Sequence, residues 1–347
     1  MSNLNTVGID LAKRVVQVCV ISGGRKKTLI NKAVKAVDMA AYFANQPKSI
    51  IAMEACGSSH HWARQLQSLG HEVKLIAPQF VTPFRKGHKT DANDALAIAE
   101  SAMRPDLRTV PIKTLIQQDL QTVHRLRELL VKQRTQLINQ LHGLLHEYGI
   151  VSGQGQRALV QTMMLSLEDA ENELSFTIRS LFSEQLGMLS GLNQRIDKLT
   201  KQLETYAREL EPCQRLMEIE GVGPVGATQL YCALGDGKQF RSGRQAAAYL
   251  GLTPKQYSSG GKARLRGIGH GGHPTLKATL IRGAQAVIVA LREKVDPKSQ
   301  WLRNLKERRH NNIAAVALAN KTVRTAWAIL RYERTYQPDF TKSRAMA

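Results

Sequence analysis

The sequence is poor in the residues that identify several protein classes. Four of its 347 residues are cysteines and none form a Cys-x-x-Cys pair, so it predicts neither a zinc site nor a disulfide framework. Buried thiols in a reducing compartment fit better. The N-terminus has no signal-peptide pattern, and the longest apolar runs are too short to span a membrane. We therefore expect a soluble, intracellular protein without a membrane partner.

Acidic residues are also scarce. Lys and Arg number 49 against 28 Asp and Glu, a formal charge of +21, and residues 237–292 contain ten Lys or Arg and no acid. A field of this sign attracts polyanions, and phosphate contacts that release counterions are its usual use. The sequence therefore predicts a nucleic-acid-binding protein, and a basic protein that only tolerates nucleic acid is the alternative.

The patterns along the chain predict three regions. Residues 1–113 order strands and helices as β-β-β-α-β-α-β-α, which predicts a mixed sheet flanked by helices. Residues 114–211 repeat apolar positions in a four-three rhythm, typical of a coiled-coil seam but also of two helices packed within one domain. Arg127 and Arg134 interrupt this seam, which suggests a helix face that is solvent-exposed or that contacts nucleic acid. Residues 212–347 are predicted to be mainly helical.

Four carboxylates form the first candidate site. Asp10 and Glu54 each end an apolar strand pattern, while Asp91 and Asp94 lie three apart at the start of a helix pattern and share one side of it. If the two strands are neighbours, the four oxygen donors suit two hard divalent cations that assist phosphoryl transfer. Asp91 as a helix N-cap and Glu54 on an edge strand are the alternative interpretation.

Residues 257–266 form the second candidate site, with two serines beside two glycines. A serine next to glycine presents its hydroxyl without steric cover, and Lys262, Arg264 and Arg266 would bind a scissile phosphate. A flexible loop whose charges contact phosphate is the alternative.

A third candidate is a turn between two helix patterns that contains Gly221 and Gly223. Its free backbone N–H groups would hold a phosphate, as in helix-hairpin-helix motifs, although such turns also serve as plain connections.

These motifs together resemble a known family over nearly the whole chain. The chain is similar to the DEDD transposases of bacterial insertion-sequence family one hundred and ten, eleven-eleven-like subgroup, now described as bridge-RNA-guided recombinases. The first half of the resemblance rests on GIDLAK at 8–13, MEACGSSH at 53–60, APQFV at 77–81 and KTDANDA at 89–95. The second half rests on GVGP at 221–224, FRS at 240–242, AAYLGLTP at 247–254 and SSGG at 258–261.

The resemblance implies a RuvC-like RNase H fold in the first region, with Mg²⁺, or Mn²⁺ as the alternative, on Asp10, Glu54, Asp91 and Asp94. It implies a helical coiled-coil insertion and a C-terminal transposase domain whose Ser259 attacks DNA. It also implies an element-encoded bridge RNA that pairs with target and donor double-stranded DNA. The expected assembly is a tetramer that shares active sites between subunits, in the bacterial cytoplasm at the nucleoid.

The expected activity is therefore DNA recombination through a phosphoserine at Ser259, followed by strand exchange and rejoining. A RuvC-like junction endonuclease that uses water and a non-catalytic nucleic-acid-binding protein stay as alternatives. Many relatives differ at residues 269–273 and 276–277, so His270, His273 and Lys277 receive no role.

Overall fold

The computed structural model describes residues 4–24, 27–269, 271–291 and 296–337. The chain divides into two compact units, Met1–Thr114 and Leu115–Ala347. The predicted boundary between residues 211 and 212 stays a prediction. His270 lies outside the described residues.

The first unit is built on a mixed sheet, as the sequence predicted, and the sheet has six strands in the order β3-β2-β1-β4-β5-β6. The strands are β1 (Thr6–Asp10), β2 (Val15–Ile21), β3 (Thr28–Lys35), β4 (Ile50–Glu54), β5 (Glu72–Ile76) and β6 (Thr109–Val110). Strands β1, β4 and β5 run parallel, and the other neighbours pair antiparallel. The helices are α1 (Met39–Ala44), α2 (Ser59–Ser68), α3 (Pro78–Val81) and α4 (Asp91–Ala102). The predicted strands and helices are all present; β6 and α3 were missed because each is too short to show periodicity.

Helix α4 lies directly on β1 at Gly8. A β-carbon at Gly8 would stand 2.1 Å from the carbonyl oxygen of Ala95 and 2.5 Å from the backbone nitrogen of Ala99. Glycine therefore permits a backbone-to-backbone approach that no other residue allows. Cys19 and Ile21 of the neighbouring β2 pack against the same two alanines. Small residues on both elements thus set the position of α4 over the sheet.

The four cysteines are free, as expected, but they are not all buried. Burial raises the pKa of the Cys19 thiol to about 11 and that of Cys213 to about 12. The expectation of buried thiols is wrong for Cys56, which is exposed because it lies in the turn that follows β4.

Where the structure describes it, the second unit consists of helices and one two-stranded hairpin. Its helices are α5 (Leu115–Glu147), α6 (Gln156–Glu168), α7 (Phe176–Glu209), α8 (Glu211–Met217), α9 (Pro224–Leu234), α10 (Gly243–Tyr249), α11 (Pro274–Val289), α12 (Pro297–Arg308) and α13 (Asn311–Tyr332). Between α10 and α11 lie β7 (Pro254–Ser259) and β8 (Lys262–Ile268). The two long helices expected from the four-three rhythm are present, while α6 was not predicted.

Helices α5 and α7 pack antiparallel. Arg127 Nε donates to Thr200 Oγ1 at 2.8 Å, and Arg134 Nη1 donates to Asn193 Oδ1 at 3.2 Å. The two arginines are seven residues apart on α5, and their partners are seven residues apart in the reverse order on α7, as antiparallel helices require. A full coiled-coil geometry stays a prediction.

The C-terminal core is built against α13. Trp327 Nε1 donates to the Gly237 carbonyl oxygen at 3.0 Å, and a broad stripe along one side of α13 belongs to one buried cluster. Among the described residues, α13 alone has the length and composition to cross a membrane, yet 56% of that stretch is buried inside the protein, as in an ordinary core helix.

His124 joins α5 to α9. Its Nε2 lies 3.0 Å from Thr228 Oγ1, whose own hydroxyl donates to the Pro224 carbonyl oxygen at 2.9 Å. The threonine oxygen therefore accepts, and the imidazole carries a proton on Nε2. Burial first and Arg127 second lower the pKa of His124 to about 4, so the ring is neutral in the folded protein.

We expect Gly8→Ala to destabilise the first unit by about 2 kcal/mol or more, because the new methyl group overlaps the α4 backbone. Urea unfolding followed by circular dichroism measures this. Gly57→Ala is the matched control, since a β-carbon there meets nothing within 4 Å. Equal stability of the two variants would contradict the packing described for α4.

We expect the second unit to lose stability as the pH falls from about 6.5 towards 4. The unfolded chain takes up the His124 proton first, so it binds more protons than the folded protein in this window, and folding weakens by up to about 3 kcal/mol. His124→Gln should flatten this pH dependence, whereas His146→Gln, at an exposed position on the same helix, should leave it intact. Unfolding followed by tryptophan fluorescence at several pH values decides between these outcomes.

Candidate functional site

Asp10 and Glu54 end two neighbouring strands. Strands β1 and β4 are parallel with Ile9 opposite Met53, so the next residues, Asp10 and Glu54, emerge side by side at the carboxyl edge of the sheet. Both carboxylates are half-buried. Strand β4 lies between β1 and β5, which rules out the interpretation of Glu54 as an edge-strand residue.

Asp91 and Asp94 occupy the first turn of α4. The N-cap is Thr90, whose Oγ1 accepts from the Asn93 backbone N–H at 3.3 Å, so Asp91 is not the cap. Because α4 contacts β1 at Gly8 through Ala95, its first turn reaches the end of the strand where Asp10 lies. The fold thus directs all four acids towards one edge of the sheet.

The four carboxylates act on one another electrostatically. Burial raises the pKa of Asp10, and Asp94 and Asp91 raise it further. Burial likewise raises the pKa of Glu54, with further contributions from Asp10 and Asp94. Such mutual repulsion among oxygen donors is the charge pattern that a hard divalent cation relieves.

The donor chemistry therefore fits a cation, although the side chains do not enclose one. Among the residues that the structure describes, no group of three His, Cys, Asp or Glu side chains is arranged to hold a metal ion. Asp94 instead pairs with Arg85, whose Nη1 lies 3.4 Å from Asp94 Oδ1. Asp94 must exchange Arg85 for the cation before it can act as a ligand.

Two basic side chains near the acids, those of Arg85 and Lys89, were missed by the sequence analysis. Lys89 and Arg85 both act to lower the pKa of Glu54, and Lys89 does the same for Asp10. They partly offset the repulsion among the acids. The signal was present as a basic run at residues 85–89, immediately before Asp91.

Ser259 lies at the tip of an exposed two-stranded hairpin, not in an irregular loop. It ends β7 and pairs with Lys262, the first residue of β8. Gly260 and Gly261 form the two-residue turn with φ values of +55° and +77°, the conformation that such hairpins require and that glycine adopts readily. The backbone register therefore places Ser259 at the solvent-exposed tip of the hairpin.

Strand alternation separates the hairpin into two chemically different faces. Tyr257 pairs with Arg264 and Ser259 with Lys262, so these four side chains share one face. The guanidinium of Arg266 lies 4.8 Å from the Tyr257 ring centroid and joins them.

Ser258 belongs to the opposite face of the hairpin. It pairs with Ala263, and its Oγ accepts from Gln256 Nε2 at 2.7 Å. The predicted cations thus accompany Ser259 and not Ser258.

The glycine turn between α8 and α9 has a packing role. Gly221 has a φ of +84°, and a β-carbon there would stand 2.8 Å from the Gly283 carbonyl oxygen on α11. Gly223 has an extended backbone that any residue adopts, and nothing lies within 4 Å of its β-carbon position. Arg127 and Arg134 are engaged across the α5–α7 seam. Contacts of these four residues with nucleic acid stay predictions.

Two family models match the chain. A model described as a transposase, for the DEDD transposases of IS110, matches residues 7–150 and includes the four acids. A model described as a transposase of the IS116/IS110/IS902 family matches residues 213–300 and includes Ser259.

Individual relatives match over nearly their whole lengths. A probable family 20 transposase of Pseudomonas aeruginosa is 43% identical over 97% of this chain and 99% of its own. The transposase for insertion sequence element IS1111A of Coxiella burnetii is 38% identical over 97% of this chain and 92% of its own. The transposase for insertion sequence element IS1328 of Yersinia enterocolitica is 36% identical over 95% and 97%.

We expect Mg²⁺ or Mn²⁺ to raise the thermal unfolding midpoint of the first unit, because a cation that binds the folded acids stabilises only that state. The free energy of unfolding rises by about 2.7 kcal/mol when free cation reaches about 100 times its Kd. Asp10→Asn should remove most of this gain and should raise the metal-free midpoint, because one repelling charge is gone. Calorimetry with and without cation measures both effects.

Asp38→Asn, an exposed acid of the same unit, is the control and should respond to cation like the unaltered protein. A full cation response in Asp10→Asn would contradict this site.

Proposed function

Because this chain belongs to the IS110 family of insertion-sequence transposases, we propose that it is a bridge-RNA-guided DNA recombinase with Ser259 as its nucleophile. The transposase activity and the DNA substrate follow from the family. The observation that carries the finer proposal is the hairpin face that combines Ser259 with Lys262, Arg264 and Arg266.

Ser259 acts by transesterification. Its Oγ forms a bond to a backbone phosphorus while the bond from that phosphorus to a deoxyribose oxygen breaks. The serine hydroxyl loses a proton, and the released sugar oxygen gains one. The three cations on the same face neutralise charge on the phosphate oxygens, and the ester conserves the bond energy needed for rejoining.

The carboxylates of Asp10, Glu54, Asp91 and Asp94 would hold Mg²⁺, with Mn²⁺ as the alternative. A bound cation would supply charge neutralisation at the phosphate. DEDD transposase domains are typically metal-dependent, which supports this assignment. Arg85 and Lys89 would give the cluster a partial counter-charge before a cation binds.

The proposed partners are an element-encoded guide RNA and the donor and target DNA. The net charge of +21 supports extensive phosphate contact. With base pairing left to the RNA, the protein needs to recognise backbone and shape, for which Arg-rich and Lys-rich surfaces suffice. We propose a tetramer in which the acids of one subunit serve the Ser259 of another.

We expect Ser259→Ala to abolish the covalent protein–DNA complex, because among the described hairpin residues Ser259 carries the only aliphatic hydroxyl on the cationic face, while the Tyr257 ring on that face packs against Arg266. Ser258→Ala is the matched control and should retain the complex within about threefold. The Ser258 hydroxyl lies on the hairpin face opposite Ser259, where it accepts from Gln256. The assay uses end-labelled donor DNA, the full chain and its guide RNA, with denaturing gels to detect linked protein.

The same gel separates the rival functions. An adduct that persists in Ser259→Ala and disappears in Ser258→Ala would show that Ser258, and not Ser259, is the nucleophile. Free DNA ends without linked protein would favour a junction nuclease that uses water. Intact strands with unaltered binding in every variant would indicate a non-catalytic nucleic-acid-binding protein.

A further inference from the structure

Two amide side chains connect β2 and β3 to the first turn of α4. Gln17 Nε2 donates to Asn31 Oδ1 at 2.7 Å. Asn31 Nδ2 donates to the Ala92 carbonyl oxygen at 3.0 Å, across 61 positions of sequence. Ala92 follows Asp91 directly and stands two residues before Asp94, so the contact holds the turn that carries both acids.

The sheet register brings these amides to the candidate site. Asp10 pairs with Gln17 across β1 and β2, so the two side chains share a face. In the next row, Gly8 pairs with Cys19 and Cys19 with Asn31, on the face that α4 covers. Gln17 therefore lies on the strand beside Asp10, and Asn31, on the next strand, contacts the first turn of α4.

The direction of each hydrogen bond is determined by chemistry. The Ala92 carbonyl can only accept, so Asn31 must turn its NH₂ group towards α4 and its oxygen towards β2. Gln17 then donates its NH₂ group to that oxygen. Neither an acid nor an alkyl side chain of similar size can make both contacts at Asn31.

We propose that Gln17 and Asn31 are positioning residues that hold the α4 first turn over the strand ends for divalent-cation binding. Repulsion among Asp10, Glu54, Asp91 and Asp94 tends to separate α4 from the strand ends when no cation is bound. The two hydrogen bonds from Gln17 to Asn31 and from Asn31 to Ala92, here called the tether, oppose that separation. They act from the side of β3, which carries none of the four acids. The inference rests on the proposed metal role of these acids.

The test compares cation affinity with activity at saturating cation. In Asn31→Ala, the Mg²⁺ concentration at half-maximal thermal stabilisation should rise about threefold to tenfold, because an outer hydrogen bond that orients the ligands is lost. DNA cleavage by the full chain with its guide RNA at saturating Mg²⁺ should stay near the unaltered rate. A merely structural residue would lower both stability and rate without moving the Mg²⁺ midpoint.

Two further variants test the connection itself. Gln17→Ala should shift the midpoint in the same direction, and the double variant should be no worse than Asn31→Ala, because both changes remove one chain of contacts. Asn31→Asp, which cannot donate to Ala92, should behave like Asn31→Ala. The control is Asn45→Ala, since Asn45 Nδ2 also donates to a helix carbonyl, that of Ala41 at 2.9 Å, in α1.

An unmoved Mg²⁺ midpoint in Asn31→Ala, or an equal shift in Asn45→Ala, overturns the positioning role. Asp10→Asn is titrated in parallel to separate this failure from a failure of the metal site. If Asp10→Asn loses its Mg²⁺ response while Asn31→Ala keeps the normal midpoint, only the tether is wrong. If Asp10→Asn responds normally, the metal assignment is wrong and the tether proposal falls with it.

Discussion

The candidate acid site depends on the contact between the backbone of α4 and the backbone of β1 at Gly8. The missing side chain lets Ala95 and Ala99 approach the strand closely, and this approach places the helix N-terminus at the strand ends. A bulkier residue would lift α4 and separate Asp91 and Asp94 from Asp10 and Glu54. Packing of small residues therefore determines an electrostatic arrangement one helical turn away.

That arrangement is unfavourable in isolation. Four carboxylates repel one another at a half-buried edge, and the fold offsets this with Arg85, Lys89 and the amide contacts on the β3 side. Locally unfavourable charge held in place by its surroundings is typical of a site selected for binding and not for stability. The hairpin shows the same principle with the opposite sign, since Lys262, Arg264 and Arg266 share one exposed face with no acid among residues 237–292.

Much of the first unit was predictable because its signals are local. The alternation of strand and helix patterns predicted the order of its main elements. Short elements such as β6 and α3 were missed, because two to four residues show no periodicity. The exposure of Cys56 was also missed, since burial depends on where a turn projects. In the second unit, α6 was missed because the four-three rhythm is weak there.

The sequence by itself determined the residue types and their spacing: acids at strand ends and a helix start, a serine beside two glycines, and a window without acids. Family-specific motifs then identified the transposase. Only the tertiary structure decided that Thr90 and not Asp91 caps α4, that β4 is interior, and that Arg127 and Arg134 bond across a helix seam. The hairpin register also decided which serine shares a face with the cations. These features depend on register and on contacts between distant segments, and periodicity within one segment carries no information about either.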